Sequence, residues 1–258
     1  MKYSLFFSTV IIAIVISMSS CGQIKDVKSN SRPITHKGWD TLLKKHVTPD
    51  GWVDYKGIMQ DSVSFNKYLT LLSNNHPNKK NWNREERFAY WINAYNAFTV
   101  KLIIDNYPTK SIKDIKNGVP FVNTVWDIKF IKIEGQEYDL NNIEHNIIRP
   151  KFDDGRAHFA VNCASYSCPK LLNAAYLPDR LDKQLDDSYA AFLADEKRNN
   201  ITADNLKLSK LFKWYKSDFT KKTDLITELN KHSQVKINPD ASIEYKDYIW
   251  TLNEQEEN

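Results

Sequence analysis

The stretch NREERFAYWINAYNAFTVKLIIDN, residues 83–106, decides how this chain folds. Phe88, Trp91, Ile92, Tyr95, Phe98, Thr99, Leu102 and Ile103 recur at three- and four-residue steps, which predicts a helix with one broad apolar face. Asn83 stands at its start with Glu86 three residues on, the spacing of a capping box, and Pro108 lies just past its end. Asn93 and Asn96 sit three apart on one side of this helix. Asparagine has lower helix propensity than alanine, so two of them amid aromatics point to buried hydrogen bonds, structural or to a substrate.

Outward from this helix the pattern is mixed. Upstream, residues 39–43 predict a short helix. Pro49-Asp50-Gly51 predicts a turn leading into Trp52-Val53-Asp54-Tyr55, and residues 62–73 predict a second helix. Downstream, residues 128–133 alternate apolar residues with lysine, Glu134-Gly135 turns, and residues 136–140 return as a hairpin. Residues 141–148 read as a short helix stopped by Pro150, 157–161 as a buried strand and 169–172 as a helical turn. An amphipathic helix over 179–195 points Leu181, Leu185, Tyr189, Phe192 and Leu193 inward. A strand at 206–208, helices at 212–219 and 224–232, a strand over 243–252 and a frayed acidic end at 254–258 complete the chain. No βαβ rhythm, repeat or linker is present, so the expectation is α+β: a single domain of helices and antiparallel sheet over residues 38–253.

The 258 residues include only 7 glycines, and no two form a Gly-x-Gly pair. That excludes the dinucleotide, P-loop and kinase glycine signatures. A formal charge of +4, from 36 basic and 32 acidic residues without an arginine cluster, gives no reason to expect nucleic acid. The 7 Trp, 13 Tyr and 12 Phe belong to a packed globular chain.

Residues 1–20 differ from the rest. Lys2 precedes an apolar run over residues 5–18, too short for a membrane span, and Met18-Ser19-Ser20-Cys21 resembles a lipoprotein cleavage site. The resemblance implies a signal peptide over 1–20 and lipid on Cys21. It further implies a flexible tether over 21–37 and a domain anchored to a bacterial membrane in the cell envelope, in the periplasm or at the cell surface. The other readings of this segment are an uncleaved anchor and a plain secretory signal.

The remaining cysteines, Cys163 and Cys168, lie in the segment RAHFAVNCASYSCPKL, residues 156–171. Proline is favoured in the first turn of a helix, so Cys168-Pro169 would place Cys168 at a helix start, where free N–H groups and the dipole stabilise a thiolate. His158 is the candidate base, with Glu144 or Asn162 orienting its ring and Arg156 binding a substrate carboxylate. Other readings stand beside this one. Cys163 and Cys168 could form a disulfide in a non-catalytic envelope binding or scaffold protein, or could exchange redox equivalents. His158 could be a structural histidine bonded to Asn162 or Asp153, and Glu144, His145 and Arg149 could be a solvated helix face. The H-x4-C-x4-C spacing fits no standard zinc pattern, and neither metal nor cofactor is expected.

Taken together, the chain resembles the DUF547 family, a domain of unknown function. The stretches that carry this are Trp52–Tyr55, Phe88–Ala97, Ile143-Glu144-His145 with Arg149, Arg156 to Pro169, Phe212-x-Trp214-Tyr215-x-x-Asp218-Phe219 and Tyr248-x-Trp250-x-Leu252-Asn253. They run from about residue 40 to 253. The order of histidine before cysteine looks like a permuted papain or transglutaminase arrangement. The expectation is a cysteine-dependent hydrolase or acyl or peptidyl transferase acting on a small-molecule or peptide amide or ester, a wall peptide among them. Cys168, His158, Glu144 and Asn162 would be catalytic, with Arg156, Asn93 and Asn96 at the substrate.

Overall fold

Asn83 caps helix α4 (Arg84–Asp105) as its spacing requires: its side chain accepts from the Glu86 N–H and the Glu86 carboxylate accepts from the Asn83 N–H. The computed structural model describes residues 27–116 and 124–256, so the leader, Cys21, the first part of the tether and the last two residues lie outside the described residues. α4 is buried more completely than one apolar face implies. Every residue from 88 to 100 is inaccessible, as in a helix surrounded by protein. α2 (Tyr55–Gln60) and α3 (Ser62–Ser73) contact it, as does a π-helical segment, Asn142–Ile148. α1 (Lys37–His46) packs on α2 and α3.

The hairpin is shorter than its alternating sequence. β1 (Ile131–Ile133) pairs antiparallel with β2 (Gln136–Tyr138) around Glu134 and Gly135, both at positive φ. Pro150 does not stop the next helix. The π-helical turns continue into α5 (Arg149–Phe152) with Pro150 in its first turn. The N–H that proline lacks falls where bonding changes from the wide to the ordinary helical pattern.

Two further expectations are corrected. Residues 157–161 are not a strand: Gly155–Phe159 forms a 3-10 turn capped by the Asp154 side chain. Residues 169–172 form no helical turn, so Cys168 is not at a helix start. Carbonyls there are taken by side chains, since Asn162 Nδ2 donates to Pro169 O and Arg198 Nε to Cys168 O.

α6 (Leu181–Ala194) buries the five predicted residues. Beyond it, β3 (Asn200–Ile201) pairs antiparallel with β4 (Asn205–Leu208). β4 then pairs parallel with β5 (Ser242–Tyr245), so the expected antiparallel sheet is mixed. The long connection that permits this holds α7 (Leu211–Trp214), α8 (Lys216–Phe219) and α9 (Leu225–Leu229). The fold is a single α+β domain with two apolar clusters. The larger surrounds α4; the smaller is built from Phe159, Tyr189, Phe192, Phe212 and Phe219.

The first and last described segments are tied to this body. The tether expected over 21–37 is, from Ser29 onward, held against the domain. Ser31 O accepts from Asn78, Asn81 and Trp82, and buried His36 lies 2.7 Å from the Tyr68 hydroxyl. The C-terminal segment bridges three places: Thr251 pairs with Ser111, Leu252 with Ser165 and Glu254 with Val53.

Candidate active site

The π-helical segment, the 3-10 turn, the cysteine loop and α7 surround a cleft of about 370 Å³. Among its lining residues are Tyr95, Glu144, His145, His158, Cys163, Cys168, Trp214, Tyr215, Tyr248 and Trp250.

His158 is buried, and its Nε2 lies 2.8 Å from Asp218 Oδ2. Asp218 also receives Arg149, through Nε at 2.6 Å and Nη2 at 3.1 Å. The hydrogen bond from His158 and the Arg149 guanidinium hold the Asp218 carboxyl well below the usual carboxylate range. His158 Nδ1 has no hydrogen-bond partner among the described residues. The imidazole is therefore fixed on one side by a carboxylate and open on the other, the orientation a general base needs. Tyr215 packs on it, with ring centres 3.9 Å apart.

The two cysteines are free thiols in contact with each other. The Cys163 N–H donates to Cys168 Sγ at 2.9 Å. The Cys163 sulfur lies 3.2 Å from the Ser165 hydroxyl and 3.4 Å from that of Tyr248. Hydrogen bonding from Cys168, aided by these hydroxyls, lowers the Cys163 thiol below its ordinary range, against burial and the Glu144 carboxylate. Burial, together with Cys163, pushes the Cys168 thiol well up. Cys168 is almost fully inaccessible, whereas Cys163 is partly exposed. Of the two sulfurs, Cys163 is the one whose surroundings favour ionisation, and the role read for Cys168 from a helix start has no helix behind it. Ala164, next to Cys163, sits at φ +58°, an uncommon conformation for a residue with a Cβ. The loop that holds it there is tied down by the Tyr166 N–H bond to Thr251 O and by Arg198, which donates to the carbonyls of Tyr166 and Cys168.

Glu144 is buried at the edge of the cleft, and its Oε1 accepts from the Tyr215 hydroxyl at 2.7 Å. It does not orient His158; Asp218 does. Burial keeps the Tyr95 and Tyr248 phenols protonated, their pKa raised well above the ordinary value with Glu144 or the cysteines adding to it. They are donors at neutral pH.

Three predicted positions serve the scaffold. Asn162 is inside the loop: its Oδ1 accepts from the Ala164 N–H, its Nδ2 donates to Pro169 O, and its N–H donates to Asn96. Asn96 also donates to Ala160 O, and Asn93 makes a matching pair of bonds to Tyr176. Both asparagines bond to backbone, so at these two positions α4 holds the site's segments together rather than facing the cleft. Arg156 lies outside the cleft, between Asp154, Asp182 and Asp186. Asp218, Tyr215 and Tyr248 were not among the predicted site residues. Asp218 is 60 positions from His158, and its only sequence signal was the Trp214-Tyr215-x-x-Asp218 motif. Among the described residues, no group of three or more His, Cys, Asp or Glu is placed to hold a metal ion.

Residues 79–193 match the model of the family described as protein of unknown function, DUF547. The resemblance read from about residue 40 to 253 is therefore supported over that span. It holds α4, Glu144, His158 and both cysteines, while Tyr215, Asp218 and Tyr248 lie beyond it. No curated protein and no solved structure matches the chain.

Proposed function

We propose that the cleft is the active site of a cysteine-dependent hydrolase or acyl transferase acting on an amide or ester, with Cys163 as nucleophile. The observation behind this reading is the Arg149–Asp218–His158 chain ending on an open imidazole nitrogen in the same cleft as a depressed thiol. His158 takes the Cys163 proton, and the thiolate attacks the carbonyl carbon. The C–S bond forms as the leaving amine or alcohol departs with that proton. Water or a second amine or alcohol, deprotonated by His158, then releases the acyl group and restores the thiol. Tyr95 and Tyr248 supply phenolic donors for the developing oxyanion. Cys168, whose sulfur accepts from the Cys163 N–H, is a positioning residue.

Alkylation by iodoacetamide at neutral pH tests this. Rapid labelling maps to Cys163, falls at least tenfold in His158→Ala and survives in Cys168→Ser. Labelling confined to Cys168, or absent until a reductant is added, overturns the assignment; the latter outcome favours a binding protein with a Cys163–Cys168 disulfide.

The cell-envelope placement is part of the same proposal. It is supported by Lys2, the apolar run over 5–18 and Ser19-Ser20-Cys21. Among the described residues, no helix is long and apolar enough to cross a membrane. Mass spectrometry of the mature amino terminus, with diacylglycerol expected on Cys21, is the check.

A further inference from the structure

Glu144 is a buried carboxylate that the proposed chemistry does not use. Its Oε1 accepts from Tyr215, and Oε2 has no hydrogen-bond partner among the described residues. It forms no ion pair among them either. Arg149 is the nearby cation, and its guanidinium is committed to Asp218 and to His145 Nδ1 at 2.8 Å. Glu144 is thus a buried carboxyl in the cleft wall with no cation at ion-pair distance among the described residues. A charge withdrawn from water is stable only when paired, so the site is electrostatically incomplete.

The walls around Glu144 are aromatic. Tyr95, Tyr215 and Tyr248 line the cleft with Trp126, Trp214 and Trp250. Ring faces attract cations, most strongly when water is excluded. One lysine of this chain already uses that attraction at the rim: Lys113 Nζ lies 4.9 Å from the centre of the Trp250 ring. Opposite, the Tyr215 ring is backed by Arg149 at 5.1 Å.

We infer that Glu144 and the aromatic walls form a subsite for a primary ammonium group carried by the substrate. The inference rests on the acyl-transfer reading and deepens it. The substrate class becomes an amide or ester bearing a free amino group, such as a peptide with an unblocked amino terminus or an aliphatic amine side chain. A bound ammonium supplies the missing positive charge. It also offsets the repulsion that Glu144 exerts on a thiolate at Cys163, so occupancy favours the reactive form of the nucleophile.

Binding can be read without catalysis, because three tryptophans line the cleft. Titration of the full chain with n-butylammonium chloride is expected to quench tryptophan fluorescence saturably, beyond a sodium chloride control. Isosteric 1-butanol is expected to bind at least tenfold more weakly. Glu144→Gln should weaken the amine at least tenfold and leave 1-butanol unchanged. Tyr215→Phe, which keeps the carboxylate, should retain the preference for the amine. Equal binding of amine and alcohol to the wild type overturns the subsite, whether or not Glu144→Gln folds. Reading both signals on the wild type separates the two proposals. Amine preference in a protein whose Cys163 resists iodoacetamide leaves the subsite standing while the enzyme reading fails. Loss of the preference in a protein whose Cys163 still labels defeats the subsite alone.

Discussion

The two apolar clusters of this domain are built in different ways, and the cleft lies where they meet. The larger is organised by one helix of 22 residues whose middle is buried on every side. The smaller contains α6, but its other helices are only four or five residues long. Its order comes from rings: Phe159 lies within 4.0 Å of Tyr189 and 5.7 Å of Phe212, measured between centres. Ala157 belongs to the larger cluster and Phe159 to the smaller, so His158 sits on the seam between them. The large cluster presents Tyr95, Glu144 and the cysteine loop; the small one presents Tyr215 and Asp218. Neither half holds the proposed catalytic geometry alone.

The comparison can be broken from either side. Phe88→Ala removes a fully buried ring stacked on Phe152 and should cost about 4 kcal/mol in urea unfolding, taking both clusters down together. Phe212→Ala should cost about 3 kcal/mol and act locally. Hydrogen exchange should accelerate in residues 205–245 while the α4 amides keep their protection. Equal loss of protection in both would show that the clusters are one cooperative unit. Asn96→Ala leaves the Asn162 N–H and Ala160 O without their partner and should cost about 2 kcal/mol, with slower alkylation of Cys163 as the loop loosens.

A subtler probe of the seam uses pH. The folded Asp218 carboxyl is held below its unfolded value, so its ionised form stabilises the fold above about pH 4, and that contribution is lost as pH falls below it. Asp218→Asn should cost on the order of 1 kcal/mol at neutral pH, and the urea midpoints of variant and wild type should converge toward pH 3. A constant gap across that range would remove the linkage. The smallest effect belongs to the exposed Lys183–Asp187 pair on α6. Lys183→Ala should change stability by under about 0.5 kcal/mol, and a larger change would mean that α6 couples the clusters through its surface.

What could be read from the sequence follows the same division. α3 and α4 were placed within a residue, and the inward face of α6 was named correctly, because their apolar periods are long. Ala157-His158-Phe159-Ala160-Val161 misled because a short apolar run does not distinguish a strand from a buried turn. Cys168-Pro169 looked like a helix start, but Arg198 and Asn162 captured the carbonyls that a helix needs. Asp218 could not be linked to His158, since tertiary packing, such as that of Tyr215 and Phe219 against the imidazole, brings their segments together. The asparagines of α4 were legible as buried polar groups; which backbone they would grip was not.

The anchoring of residues 29–36 sets a length scale. With lipid on Cys21, as proposed, only seven residues lie between the lipidated position and Ser29, whose hydroxyl bonds to Glu134 of the domain, a span of about eight residue steps. An extended chain covers at most about 3.6 Å per residue, so the leash can lift the domain no more than about 30 Å from the bilayer. Under these two proposals the domain would work a thin shell over the membrane that holds it, and material beyond that shell would have to diffuse to it.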